Sequence, residues 1–437
     1  MCVDEQEFIE LRRKTKVIFQ EYKEYEYFLP SFTKEKIPYA KHAKNSFDGQ
    51  LPLRPKEVFY CAKCVNTNQR PRITFDERRI CSACQHSEHK KNPIGCEERK
   101  NLFNEMLSRF RRDDGRWDVV VPCSGGKDSG SVAHRLKYEY GMHPLCITWS
   151  PMLYANIGFQ NFQNMISSGL DSQLCTPNRL LQRKLSKLGL VMTGNHHDPF
   201  GRGIMCYAFH VAIHYGIRLV MFGENAEVEY GGDKKNADKP YNPFEDWEKF
   251  YFKHTMLQKL INFGCENGYL TKEDMNEPSL AWYTLPTIEK IQKANVEAQW
   301  FGWYHRWTPQ ENYYYAVENY GFQPMPRRSE ATYSKYASID DLTDPWHYYM
   351  MLIKFGFGRA TSDAAHEIRD GHLTREEGVA LVRRFDLEFP TRTFNVFLKY
   401  LDITEEEFWD IVNAYRSISK HLWKHENGKW KLLYQVS

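Results

Sequence analysis

One short stretch restricts the fold more than any other: Val119-Val-Val-Pro-Cys-Ser-Gly-Gly-Lys-Asp-Ser129. A continuous apolar run bounded by turn residues reads as a buried strand. It runs straight into two glycines, and a helical pattern follows from Ser129 to Tyr140, with the helix expected to begin near Asp128 or Ser129. Glycines let the backbone turn sharply and approach a ligand, while the free N–H groups and dipole at a helix start favour an anion. Ser124 and Ser129 add hydroxyl donors and Lys127 a positive charge. The stretch is predicted to cradle a phosphate chain. It is not a Walker A loop, because that motif needs Gly where Val121 stands and Ser or Thr where Asp128 stands.

Around this loop the strand theme repeats. The runs Pro144–Trp149, Leu188–Thr193 and Ile217–Gly223 are predicted as further strands, each preceded by helix-like sequence. Strands alternating with helices imply an α/β domain built on a parallel sheet covered on both faces, assigned to residues 113–235. Residues 1–57 read as an N-terminal helical arm. Residues 58–112 hold a cysteine knuckle and a connecting helix whose apolar face is Leu102, Phe103, Met106, Leu107 and Phe110. Residues 236–437 read as a mainly helical, aromatic-rich C-terminal domain. Capping boxes are predicted at Thr308 with Glu311, Thr374 with Glu377 and Thr404 with Glu407, a further helix start at Asp344-Pro345, and a strand in the tail Trp430–Val436.

Cys61-Ala-Lys-Cys64 and Cys81-Ser-Ala-Cys84 form two C-x-x-C pairs, the pattern of a closed tetrahedral four-cysteine site with zinc as its natural occupant. All four positions would be filled by protein, so a structural metal is expected. Neighbouring His86, His89 and Cys96 read as surface residues. The start of the chain is polar and acidic, unlike a secretory signal, and no run is long enough to span a membrane. A reducing cytoplasmic setting is therefore expected. A formal net charge of +3 gives no overall case for nucleic acid.

Ligands of open parallel sheets bind beyond the carboxyl ends of strands, which puts Glu224, Asn225 and Glu227, just after the run Ile217–Gly223, near a ligand cleft. Asn195-His-His-Asp198 is expected at another strand end, where adjacent His side chains point apart and substrate contact or general-base work outweighs metal binding. Lys354 and Arg359 precede a helix expected to be capped by Ser362. They could bind an anionic substrate group or form an interdomain salt bridge. Core packing is the preferred role for Tyr313-Tyr-Tyr315 and Tyr348-Tyr349, over stacking on sugar rings.

Ser124-Gly-Gly-Lys-Asp-Ser129 after a strand resembles the S-G-G-x-D-S signature of the PP-loop ATP pyrophosphatases, whose fold is adenine nucleotide alpha hydrolase-like. That resemblance implies ATP held at Ser124, Gly125, Gly126, Lys127, Asp128 and Ser129, with Mg²⁺ near Asp128. It also implies adenine along the strand containing Thr148, and chemistry at Lys127, Asp128, Glu224 and Asn225. The succession of knuckle, loop, Gly223-Glu-Asn-Ala-Glu-Val-Glu-Tyr-Gly-Gly232, Lys354-Phe-Gly-Phe-Gly-Arg-Ala-Thr-Ser-Asp363 and Glu367-Ile-Arg-Asp-Gly371 is similar to the N-acetyl sugar amidotransferases. Members make acetamidino sugars for O-antigen or flagellin nonulosonic acids, drawing ammonia from a separate glutaminase and cyclase-like pair akin to imidazole glycerol phosphate synthase. By that likeness, Asn195, His197, Glu227, Lys354 and Arg359 would face the N-acetylated sugar. The first residues, Cys2 included, are too few for a glutaminase domain. Two other readings stay open: a tRNA thiolation enzyme with a zinc knuckle, and a non-enzymatic scaffold.

Overall fold

A computed structural model describes residues 24–33, 37–90, 94–241, 243–247, 252 and 257–437. Residues 1–23 (Cys2 included) and 34–36 of the N-terminal arm and the Cys96 side chain lie outside this set. Five parallel strands form the central sheet: β1 (Val119–Pro122), β2 (Pro144–Trp149), β3 (Asp171–Cys175), β4 (Leu219–Phe222) and β5 (Glu297–Trp300), in the order β3-β2-β1-β4-β5. Register is set by pairs such as Val121 with Cys146 and Phe222 with Trp300. Side chains alternate across the pleat, so Val119 and Val121 enter one apolar cluster and Val120 the opposite one. Because both faces are covered, the inner strands read as continuous apolar runs.

Two strands escape the sequence pattern, and one expected strand is a helix. β3 (Asp-Ser-Gln-Leu-Cys) and β5 (Glu-Ala-Gln-Trp) are the sheet edges, polar enough to hide their extended conformation. β5 also carries the sheet beyond residue 235 into the stretch read as helical. Leu188–Thr193 ends a helix, Arg179–Thr193. Asn178 caps its start by accepting from Leu180 and Leu181 N–H at 3.0 and 3.1 Å, and Gly194 closes it at φ 58°. Its last turns are buried on all sides, so an apolar run there carried no period to separate helix from strand.

Three helices pack close to the strand ends: α1 (Lys127–Tyr138) after β1, α2 (Asn156–Ser167) after β2 and α3 (Ala226–Glu229) after β4. α1 begins a residue earlier than expected. The C-terminal region is helical, including α4 (Asp344–Phe355), α5 (Arg359–Asp370) and α6 (Arg375–Phe385), and ends in a hairpin, Trp423–Glu426 with Lys429–Leu432. Both capping boxes at Thr374 and Thr404 form. At Thr308 the helix starts without a side-chain cap, and Ser362 lies inside α5, whose N-cap is Gly358. The described part of the arm carries the helix Tyr39–Lys44. Among the described residues no helix is long and apolar enough to cross a membrane.

Candidate functional site

The strand order reverses direction between β1 and β4, and at such a switch point an open parallel sheet leaves a crevice beyond its strand ends. The loop Cys123–Gly126 sits at this point. Gly125 has φ 88°, and a Cβ there would lie 2.5 Å from Phe162 Cα, so the turn needs glycine for its conformation and for its approach to α2. Tyr320 staples the loop from behind, its hydroxyl donating to Gly126 and Lys127 carbonyls at 3.2 and 3.1 Å. No N-cap side chain occupies the start of α1. Its first N–H groups, with the Ser124 and Ser129 hydroxyls, form the anion cradle expected at a helix N-terminus. Lys127 is buried beside it, paired to Asp128, which also accepts from Asn312 at 3.0 Å.

Three cavities meet at Glu224, the second residue after β4. The first, about 330 Å³, lies between the loop and an apolar wall of Ile147, Trp149, Tyr207, Phe222 and Trp300. The second, about 280 Å³, joins the loop to Asp340, Asp344, Tyr348, Arg359, Asp363 and Glu367. The third, about 390 Å³, extends past Asn195, Tyr348 and Arg359 to Arg70. Loss of water contact and the nearby Asp128 push the Glu224 carboxyl up to about 7. Burial and Asp344 likewise push Asp340 up to about 6, against a hydrogen bond from Ser124. So many carboxylates facing an anion cradle can accommodate a polyanion only if cations accompany it, which suits a hard divalent ion with oxygen ligands.

Not every residue singled out from the sequence reaches these cavities. Ser124, Gly125, Gly126, Lys127, Asp128, Ser129 and Glu224 line them, as do Asn195, Glu227, Lys354 and Arg359. Thr148 does not: Ile147 and Trp149 face the first cavity, so the alternation of β2 turns the buried Thr148 side chain to the other face. Asn225 is the N-cap of α3, accepting from Glu227 N–H at 3.2 Å. Glu227 is held in a two-pronged pair by Arg72, with both bonds at 2.7 Å, and Lys354 bridges Asp48 and the Thr193 carbonyl at 2.7 and 2.8 Å. Lys354 thus makes a buried salt bridge, one of the two roles expected for it, while lining the third cavity. Asn195 and His197 follow a helix, not a strand. Asn195 pairs with His347 at 2.8 Å, while His197 stacks on His347 and reaches Asp344 at 3.5 Å, one layer behind the cavity wall. Tyr349 packs in the core as expected, but Tyr348 lines two cavities.

The residues missed from the sequence, Asp340, Asp344, Asp363 and Glu367, come from the C-terminal region. Asp363 closes the Lys354–Asp363 motif, yet nothing in that motif assigns its side chain a direction. Cys123, at the start of the loop, neighbours Cys146, and burial pushes its thiol up, which disfavours the thiolate.

Beside the cleft, Cys61, Cys64, Cys81 and Cys84 are fully buried with their sulfurs within 4.8 Å of one another. The Cys61–Cys84 and Cys64–Cys81 sulfurs are 4.0 and 3.7 Å apart. These separations are far too long for disulfides and match the ~3.8 Å edge of a tetrahedron with ~2.3 Å metal–sulfur bonds. The donor set therefore fits a closed structural metal such as zinc. Two guanidiniums, Arg70 and the buried Arg369, are near enough to interact electrostatically with the cysteines. The knuckle also welds parts of the site together. Arg369 donates to the Glu229 carbonyl at 2.7 Å and Ser82 to the Gly232 carbonyl at 3.1 Å, fixing the segment after β4, while Val65 packs against α6. His86 is tucked against Glu229 at 3.7 Å and is not a surface residue.

These features define an α/β protein with a glycine-rich loop at the switch point of a parallel sheet, a buried four-cysteine group and a helical C-terminal region that supplies one wall of the cleft. Residues 330–437, which carry that wall, match the family described as "LPS biosynthesis protein WbpG-like, C-terminal domain". Over 106 residues the chain is 27% identical to the uncharacterized protein MJ1599 of Methanocaldococcus jannaschii, covering 24% of this chain and 38% of that protein. The chain thus spans well under half the length of that relative.

Proposed function

We propose that this chain is an ATP-dependent amidotransferase that converts the acetamido group of an N-acetylated, diacetamido-type sugar into an acetamidino group for bacterial lipopolysaccharide or a related surface glycan. The observation that carries this reading is the junction at Glu224. There an anion loop and an apolar slot open into a second cavity walled by the region similar to a lipopolysaccharide biosynthesis family. In this reading the adenine lies against Trp149 and Tyr207, the phosphates rest on Ser124–Ser129, and the sugar occupies the cavity lined by Tyr348, Arg359 and Asp340. Asp128 would hold Mg²⁺, which would neutralise phosphate charge, and zinc at the knuckle would be purely structural.

An amide oxygen is a poor leaving group. The acetamido oxygen attacks the α-phosphorus of ATP, pyrophosphate leaves, and an O-adenylated imidate results. Ammonia then forms the new C–N bond while the C–O bond breaks with its electron pair on AMP. Little covalent work falls to the protein, which binds charge, aligns the acetamido group and excludes water. In this reading Glu224 would take up the proton shed by the attacking nitrogen. Ammonia would come from separate glutaminase and cyclase-like subunits, in the cytoplasm, with no role for nucleic acid. A thiolation enzyme would need a reactive thiolate near the loop, and the buried Cys123 does not supply one.

The test is mass spectrometry of diacetamido sugars incubated with ATP, Mg²⁺ and ammonium. The expected product has NH in place of one acetamido oxygen, with heavy oxygen placed in that group recovered in AMP. Heavy oxygen remaining in the sugar, or AMP formation independent of every acetamido sugar, would refute the reading.

A further inference from the structure

A fourth cavity, about 400 Å³, lies on the knuckle side of the molecule, lined by Lys90, Arg99, Glu229, Arg306, Trp307 and Arg369 among others. The Arg306 side chain at its rim is 59% exposed, so this space opens to the surface. One residue, His366, lines both this outer cavity and the inner one that holds the loop and Glu224. His366 is 3% exposed. Its Nδ1 is 3.0 Å from Asp370, and Tyr230 packs at 5.4 Å against the ring. Its buried Nε2 has no hydrogen-bond partner among the described residues. A carboxylate at Nδ1 accepts, so Nδ1 carries the proton, and in that tautomer Nε2 is left as an acceptor. An unsatisfied buried acceptor is costly and calls for a ligand that can donate to it.

Resting on the amidotransferase reading, we infer that His366 forms the aperture through which ammonia passes from the outer cavity to the imidate. Nε2 accepts one ammonia N–H and leaves the nitrogen lone pair to face inward. Lys90, Arg99, Arg306 and Arg369 outnumber the carboxylates Glu229 and Asp370 around the outer cavity, which disfavours ammonium and admits the neutral species. The rim is then the face on which an ammonia-supplying subunit would sit.

The experiment separates the two half-reactions. ATP–pyrophosphate exchange in the presence of sugar reads adenylation without ammonia, and amidine formation over an ammonium series reads the second step. His366→Leu is expected to keep exchange and to raise the KM for ammonium by about tenfold, the value of one lost hydrogen bond. His366→Gln, whose amide oxygen can accept, should recover most of that loss. His366→Ala should let methylamine act as a nucleophile that the wild type rejects, a gain that a merely unfolded variant cannot show. Unchanged ammonium KM in His366→Leu, with methylamine still rejected by His366→Ala, would overturn the passage. Absence of exchange in the wild type would instead sink the amidotransferase reading, and the passage with it.

Discussion

Replacing Gly125 by Ala tests whether the loop is shaped by its own backbone or by what it packs against. Gly216 supplies the control, with φ 64° and nothing within 4 Å of an added Cβ. Gly216→Ala therefore carries only the left-handed backbone penalty, about 1–2 kcal/mol. Gly125→Ala carries the same penalty and also brings a Cβ to 2.5 and 2.6 Å from Phe162 Cα and N, backbone atoms that cannot rotate away. Overpacking of this kind adds about 1–3 kcal/mol, because either the loop or α2 must move. Gly130→Ala is the third member of the series. In the interior of α1 the added methyl favours the helix by about 0.5–1 kcal/mol, but it meets the Tyr320 hydroxyl at 2.6 Å. That displaces the bifurcated bond from the Tyr320 hydroxyl to the loop carbonyls, worth about 1 kcal/mol. Urea unfolding should rank Gly125→Ala well below Gly216→Ala, with Gly130→Ala near or slightly below the wild type. Nucleotide binding should fall in Gly125→Ala and Gly130→Ala but not in Gly216→Ala. Equal destabilisation of Gly125→Ala and Gly216→Ala, with equal nucleotide affinity, would refute the claim that α2 sets the loop.

Asp128→Ala or Ser124→Ala should abolish pyrophosphate release while the circular dichroism spectrum and urea midpoint stay close to wild type; retained release would remove the loop from the chemistry. Cys61→Ser should lose the bound metal, measured by elemental analysis, and unfold at lower temperature, because metal affinity at such a site is folding free energy. Without metal the Glu224 carboxyl titrates near 7 partly because of Asp128. A divalent ion beside Asp128 lowers it, so binding of Mg·ATP should release protons between pH 6 and 8 and tighten as pH rises, by at most about tenfold per unit. Calorimetry in buffers of different ionisation enthalpy reads this, and Glu224→Gln should abolish it. Glu229 is buried, which raises its pKa, but Lys90 and the His86 hydrogen bond outweigh that and hold it well below the usual range. Its stabilising contribution is therefore complete above the unfolded value near ~4.3 and is lost as pH falls below it. Glu229→Gln should flatten the acid limb of a thermal-melt series, and an unchanged limb would contradict the pairing.

What the sequence alone determined is what short-range chemistry decides. Two glycines between an apolar run and a helix make a tight turn at the helix start, two C-x-x-C pairs gather four sulfurs at one point, and Thr374 and Thr404 cap helices through residues three positions away. Tertiary structure decided the rest, because it depends on partners far along the chain. The edge strands β3 and β5 are extended only because β2 and β4 offer them hydrogen bonds, and Leu188–Thr193 is helical although its composition fits a strand equally well. The same holds for charge. The family resemblance put Glu227 and Lys354 toward a sugar, and only the fold shows that both line a cavity with their charges paired to Arg72 and Asp48. Asp340 had no distinguishing neighbours in sequence and the Glu367–Gly371 motif assigned the Glu367 side chain no direction, so only the fold turned them toward Glu224.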